Sequence, residues 1–161
     1  MNAVIIDVVE KLHEFFRSKE RTLSVAESCT GGLVSHYITA LPGASVFFKA
    51  GLVVYSAEIK EIILGIASDT LKKYGVVSAE TARAMAERVR VISRTDYSIS
   101  TTGNLGPDVL EGKEKGLIYI AAGREGKTLL RKLRLNGNRA ENKEQTVLEA
   151  LRLVMELAHL N

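Results

Sequence analysis

Thr22-Leu23-Ser24-Val25-Ala26-Glu27-Ser28-Cys29-Thr30-Gly31-Gly32-Leu33-Val34-Ser35-His36-Tyr37-Ile38 is the stretch on which the fold turns. Residues 22–26 read as a short strand. The residues after Gly31-Gly32 place Leu33, Val34, Tyr37 and Ile38 at helical spacing, and that helix stops at Pro42-Gly43. A strand that passes through a glycine-rich turn into a helix exposes side chains at a sheet edge and aims helix N-terminal N–H groups outward.

The flanking sequence repeats the alternation. Val4, Ile5, Val8, Val9, Leu12, Phe15 and Phe16 fall at steps of three and four, an amphipathic helix over 3–18. Residues 46–55 are rich in β-branched and aromatic types and predict a strand, with Gly51 as a candidate bulge. Two short helices follow, over 58–65 and 68–74. Ser78 suits the N-cap of a helix over 79–93, with Ala82, Met85, Ala86, Val89 and Ile92 on one face. Tyr97, Ile99 and Thr101 alternate with polar neighbours as in a strand. Residues 117–122 and 128–135 make a hairpin about Arg124-Glu125-Gly126. A last helix over 139–159 buries Val147, Leu148, Leu151, Val154, Met155 and Ala158. Strands interleaved with helices predict an α/β fold, a three-layer α/β/α sandwich, whose sheet is mixed and mostly parallel because of the terminal hairpin. The irregular stretch 103–116 is a candidate active-site loop.

At 161 residues the chain is sized for one domain over 1–161. With 46% hydrophobic and 25% charged residues it has the apolar surface to fold, which excludes disorder as its main state. Cys29 is the only cysteine, so neither a disulfide scaffold nor a four-cysteine zinc site is possible, and no metal or cofactor is expected. No apolar run approaches the roughly 18 residues of a membrane span. Asp7 and Glu10 interrupt the first ten residues, which therefore do not read as a targeting signal, and the expected address is the cytoplasm. The net charge of +3 is uneven: residues 108–143 hold nine Lys or Arg against five Asp or Glu. Lys127, Arg131, Lys132 and Arg134 in this stretch read as charges guarding a strand edge. Without a nucleic-acid-binding motif, that excess suits an anionic small molecule better than nucleic acid.

The chemistry concentrates in Glu27-Ser28-Cys29-Thr30-Gly31-Gly32. A serine at this turn is placed to attack a carbonyl while N–H groups at the helix start hold the oxyanion. The same residues suit a plain N-cap and tight turn equally well. Cys29 is a rival nucleophile, one residue further along and so aimed elsewhere. None of His13, His36 and His159 belongs to a triad pattern, which leaves a lysine as the base to consider. Lys60 would serve if burial lowered its pKa toward about 7–8; viewed alone, it is one of many helix-surface lysines.

The series Ala26-Glu27-Ser28-Cys29-Thr30-Gly31-Gly32, Leu41-Pro42-Gly43-Ala44-Ser45, Val54-Tyr55-Ser56-Ala57-Glu58-Ile59-Lys60, Leu64-Gly65, Gly75-Val76-Val77-Ser78 and Thr102-Gly103 resembles the C-terminal domain of the CinA competence/damage-inducible protein family. The resemblance runs from about residue 4 to 158 and points to the stand-alone members, which are nicotinamide-nucleotide amidases. It implies an α/β/α sandwich that hydrolyses nicotinamide mononucleotide to nicotinate mononucleotide and ammonia, and a homo-oligomer, with a dimer expected. It implies Ser28 as nucleophile, Lys60 as base and Tyr55 as a proton relay. Backbone groups at Thr30, Gly31 and Gly32 would hold the oxyanion. Thr102 and Gly103 would lie beside the nicotinamide ribotide, and Arg139 would hold its phosphate.

The chain departs from the family pattern at several places. Ala57 replaces an asparagine, Asn104-Leu105 replaces Ile-Ala, and Asn138 takes the place of an aspartate before Arg139. Asp108-Val109-Leu110-Glu111-Gly112 replaces a glycine-rich continuation after Gly106-Pro107. These changes keep a second function open: a non-catalytic pyridine-nucleotide-binding or regulatory module of the same fold.

Overall fold

The computed structural model describes residues 1–159. The deciding stretch forms β1, Leu23–Glu27, buried at all five positions, followed by α2, Leu33–Thr39. Before it runs α1, Ala3–Ser18, with Asn2 capping the Val4 N–H. The chain then forms β2, Phe48–Val53, α3, Ala57–Leu64, α4, Ser68–Tyr74, α5, Ala79–Ser93, and β3, Tyr97–Gly103. The hairpin strands are β4, Leu117–Arg124, and β5, Lys127–Arg134, and the last helix is α6, Arg139–Ala158. Ser56, Ser78 and Asn138 cap α3, α5 and α6 by accepting main-chain N–H groups of their first turns, and Glu141 completes a capping box on α6.

The strands form one sheet in the order β2-β1-β3-β4-β5. β1 runs parallel to β2 and β3, whereas β3–β4 and β4–β5 are antiparallel. Four strands thus share a direction and β4 opposes them, the mixed, mostly parallel sheet expected. Helices α1, α2 and α6 cover one face, where Ile5, Leu12, Phe16, Tyr37 and Val154 pack on Val25, Ile99 and Ile120. Helices α3, α4 and α5 cover the other through Leu64, Leu71, Met85 and Val89. The β1 and β3 side chains on that second face, Ser24, Ala26, Ser98, Ser100 and Thr102, are small or polar. Ser98 and Ser100 donate to the α5 carbonyls of Ala86 and Ala82, both at 2.6 Å, so the polar side of β3 is buried under a closely approaching helix.

Three expectations are corrected. The stretch 46–55 is shorter as a strand, because Ala44–Val46 winds into a 3₁₀ turn. The register shift in β2 falls between Phe48 and Ala50, at Lys49 and not Gly51. Gly51 serves a close approach instead: a Cβ there would stand 2.2 Å from Ser35 Oγ. Ile92 lies 44% exposed, since the apolar face of α5 closes at Val89.

The connection from β1 to β2 travels through α2 on one face, and that from β2 to β3 through α3, α4 and α5 on the other. Neighbouring strands whose outgoing chains part to opposite faces leave a crevice at their carboxyl ends, the usual ligand position in such sheets. Ser28 follows β1, and Tyr55 and Lys60 follow β2, so the topology alone brings them together. No helix among the described residues is long and apolar enough to cross a membrane.

Candidate active site

Glu27 organises the turn after β1. It is fully buried, and its carboxylate accepts from Thr30 Oγ1 at 2.5 Å, Gly32 N at 3.1 Å, Val34 N at 3.0 Å, and Ser35 N and Oγ, both at 2.8 Å. Helix α2 has Gly32 at its N-cap (φ +100°), which offers no side chain to its first N–H groups. Glu27 supplies the acceptor from five residues upstream. Thr30 Oγ1 also meets Thr101 Oγ1 at 2.7 Å, and Ser28 N donates to Thr101 O at 3.0 Å, which ties the turn to β3.

Ser28, 8% exposed, directs Oγ to Lys60 Nζ at 3.0 Å. Lys60 is fully buried although it sits on a surface helix, while Ile59, Ile62 and Ile63 of the same helix are exposed. Its Nζ is also held by the carbonyls of Val54 at 2.9 Å and Tyr55 at 3.4 Å. Burial pulls the Lys60 ammonium down from 10.5 to about 8, against opposing pulls from Cys29 and Glu111. Burial likewise pushes the Cys29 thiol up to about 12, so near neutrality the thiol is uncharged and inert and Glu111 is the opposing charge. Cys29 faces the core beneath α2, as its place in the turn suggested.

The other expected residues are distributed differently. The Gly31 N–H is already bound to Ser28 O at 3.1 Å and the Gly32 N–H to Glu27, so neither glycine has an N–H for an oxyanion. The Thr30 N–H has no partner among the described residues, and the Cys29 N–H meets only its own thiol. Tyr55 is 60% exposed, and its hydroxyl accepts from Arg139 Nη2 at 3.2 Å; only its main-chain carbonyl reaches Lys60. In this arrangement the phenol makes no hydrogen bond to Ser28 or Lys60 among the described residues. Thr102 donates its hydroxyl to Val76 O at 2.7 Å, and Gly103 lies where a Cβ would strike β4. Thr101, one residue earlier and on the opposite face of β3, is the threonine that reaches the turn. None of the histidines bonds Ser28: His13 Nε2 meets Ile38 O, His36 is exposed on α2, and His159 packs edge-on against Phe15.

The stretch 104–116 folds back over the strand ends. The Asn104 side chain accepts from Leu110 N at 3.0 Å and donates to Leu110 O at 3.2 Å, which pins the loop to its own stem. Glu111 accepts from Val77 N, and Lys113 donates to Val77 O, which dock the loop on the turn between α4 and α5. On the opposite side Asn142 Nδ2 donates to Leu105 O at 3.0 Å and Arg139 Nη1 to Gly106 O at 2.7 Å. Glu27, Thr101 and Asn104 thus hold the site together, although the sequence assigned none of them a role in it. The glycine at the α2 N-cap was the available signal for Glu27.

The CinA C-terminal domain model matches residues 6–158. A putative competence-damage inducible protein of Thermoanaerobacter pseudethanolicus is 43% identical over 155 residues, covering 96% of this chain and 36% of that protein. A CinA-like protein of Amoebophilus asiaticus is 41% identical over 149 residues, again covering 36% of its length. The chain therefore spans about a third of the curated relatives it matches. Among solved structures, the competence/damage inducible protein CihA of Agrobacterium tumefaciens superposes with a TM-score of 0.94 at 31% identity, covering 98% of this chain and 97% of that one. A CinA superfamily protein of Escherichia coli gives 0.93 at 26% identity, covering 98% and 92%. Matched across nearly its whole length in sequence and in backbone, the chain belongs to the family of CinA C-terminal domains.

Proposed function

We propose that this chain is an amidohydrolase that converts nicotinamide mononucleotide to nicotinate mononucleotide and ammonia. The observation that carries the reading is the 3.0 Å approach of Ser28 Oγ to a fully buried lysine whose pKa is drawn down to about 8. The Val54 and Tyr55 carbonyls can only accept, so they hold two Nζ protons. In the neutral amine the remaining lone pair then faces Ser28 Oγ, the geometry of a general base.

Lys60 takes the Ser28 proton as Oγ attacks the carboxamide carbon. The tetrahedral oxyanion is received by the N–H groups of Cys29 and Thr30, which lie in a buried segment and donate to no other residue's main chain. The Lys60 ammonium returns its proton to the leaving nitrogen, the C–N bond breaks and ammonia departs. Water, deprotonated by Lys60, then hydrolyses the acyl-enzyme. Arg139, braced by Gly106 O and the Tyr55 hydroxyl, holds the phosphate. The reading includes a cytoplasmic setting and a homodimer, the latter tested by sedimentation.

Ammonia release from nicotinamide mononucleotide by the purified protein is the direct test. Ser28→Ala is expected to cut it by at least about 10³-fold while the fold survives. Wild-type rates in that variant would sink the mechanism. Nucleotide binding without release by the wild type would favour the non-catalytic module.

A further inference from the structure

Lys143 lies on α6 four residues beyond Arg139, hence on the same face one turn further in. It is half-buried, and its Nζ stands 3.6 Å from the point a Cβ on Gly31 would occupy. The ammonium therefore caps the turn that carries Ser28. Gly31 closes that turn with its N–H on Ser28 O, so the cation and the nucleophile are separated by little more than one turn of backbone.

No hydrogen bond or ion pair holds Lys143 among the described residues. The carboxylates of the turn and those next to Lys143 along α6 are committed elsewhere. Glu27 serves the N-terminus of α2, Glu141 closes the capping box on Asn138 N, and Glu144 receives the Tyr37 hydroxyl. Arg139 is in a similar state: its two partners, Gly106 O and the Tyr55 hydroxyl, are uncharged. Two uncompensated cations one helical turn apart, on the rim of a buried nucleophile, suit a dianionic group carried by the molecule whose carbonyl reaches Ser28. Such a group gains most from donors already in place.

We infer that Lys143 is a specificity-determining residue that binds the substrate's phosphate together with Arg139, selecting a carboxamide carried on a phosphate monoester over its phosphate-free nucleoside. The inference rests on the amidase reading for its substrate and deepens it. Lys143 takes no part in proton transfer. Its effect falls on recognition, so it moves KM and leaves the chemical step to Ser28 and Lys60.

The test compares nicotinamide mononucleotide with nicotinamide riboside in wild type, Lys143→Gln and Lys143→Arg. Loss of one charge-assisted contact should lower the mononucleotide-to-riboside ratio of kcat/KM by about 10- to 100-fold in Lys143→Gln, mostly through KM. Lys143→Arg should restore most of the ratio. An unchanged ratio in Lys143→Gln overturns the inference, as does a fall that arginine fails to restore. If the wild type releases no ammonia from either compound, the amidase reading fails by itself. Calorimetric binding of nicotinate mononucleotide then decides for Lys143: weaker binding by the glutamine variant than by wild type supports the subsite, and equal binding removes it.

Discussion

Ser28 and Lys60 occupy the inner half of the crevice, where both are nearly or fully buried and no buried side-chain nitrogen or oxygen among the described residues lacks a partner. Tyr55, Arg139 and Lys143 occupy its rim, where partners are few and neutral and charge is left over. The inner half is assembled by the ends of β1 and β2 and by Glu27, so its geometry is fixed when the sheet forms. The rim joins residues far apart in the chain, as in the Tyr55–Arg139 contact, and its donors stay available to a ligand. Changes to the inner half should therefore register as lost stability or lost chemistry, and changes to the rim as altered affinity.

The sharpest break of this contrast is Glu27→Ala. It strands the Gly32, Val34 and Ser35 N–H groups and two hydroxyls in a buried turn, and should cost about 3–5 kcal/mol, read by urea unfolding. Glu27→Gln, which keeps one acceptor oxygen, should cost less. If Glu27→Ala unfolds at the wild-type urea concentration, the turn is not held as described.

Lys60 gives the second test, through pH. Its folded pKa of about 8 lies below its value of 10.5 in the unfolded chain. Between these values the native lysine has released its proton while the unfolded chain still binds one, so stability rises with pH in that window. Below pH 8 both states are protonated and the burial cost is constant. The rise contributed by this group amounts to roughly 3 kcal/mol. Lys60→Met should abolish the rise and raise stability at neutral pH relative to wild type, while ending turnover. In the wild type, kcat/KM should climb through pH 8 to a plateau, as the base loses its proton.

The same contrast separates what was legible in sequence from what was not. Contiguous features were readable: the strand-turn-helix at 22–38, the Ser78 cap and the hairpin about Glu125-Gly126 depend on neighbours within a few positions. Lys60 was not readable from its residues. On α3 the isoleucines face out and the lysine faces in, the reverse of what hydrophobic patterning predicts, so only the family resemblance singled it out. Thr101 was not legible as the residue that ties the turn to β3, because side chains alternate along β3 and only the face that carries Thr101 meets the turn. Nothing local shows that the Gly31 and Gly32 N–H groups are taken, because the long side chain of Glu27 reaches where a local cap would sit and Gly31 bonds back to Ser28 O.

Tyr55→Phe is the smallest expected effect and the finest discriminator. The resemblance implied that the phenol relays a proton, in which case losing its hydroxyl would cut kcat by about 10²-fold or more. The structure gives that hydroxyl a different partner: it accepts from Arg139 Nη2 and is carried on an exposed ring, while the Lys60 contact comes from the Tyr55 carbonyl, which phenylalanine retains. Removing it frees one guanidinium nitrogen and leaves the Arg139–Gly106 bond intact. The expected result is therefore an unchanged kcat and a KM for nicotinamide mononucleotide raised by about two- to fivefold, the cost of one solvent-exposed hydrogen bond. Steady-state kinetics on the plateau above about pH 9, where Lys60 is mostly neutral, isolates the hydroxyl from the titration of the base. A large fall in kcat there would return the phenol to the inner half of the site.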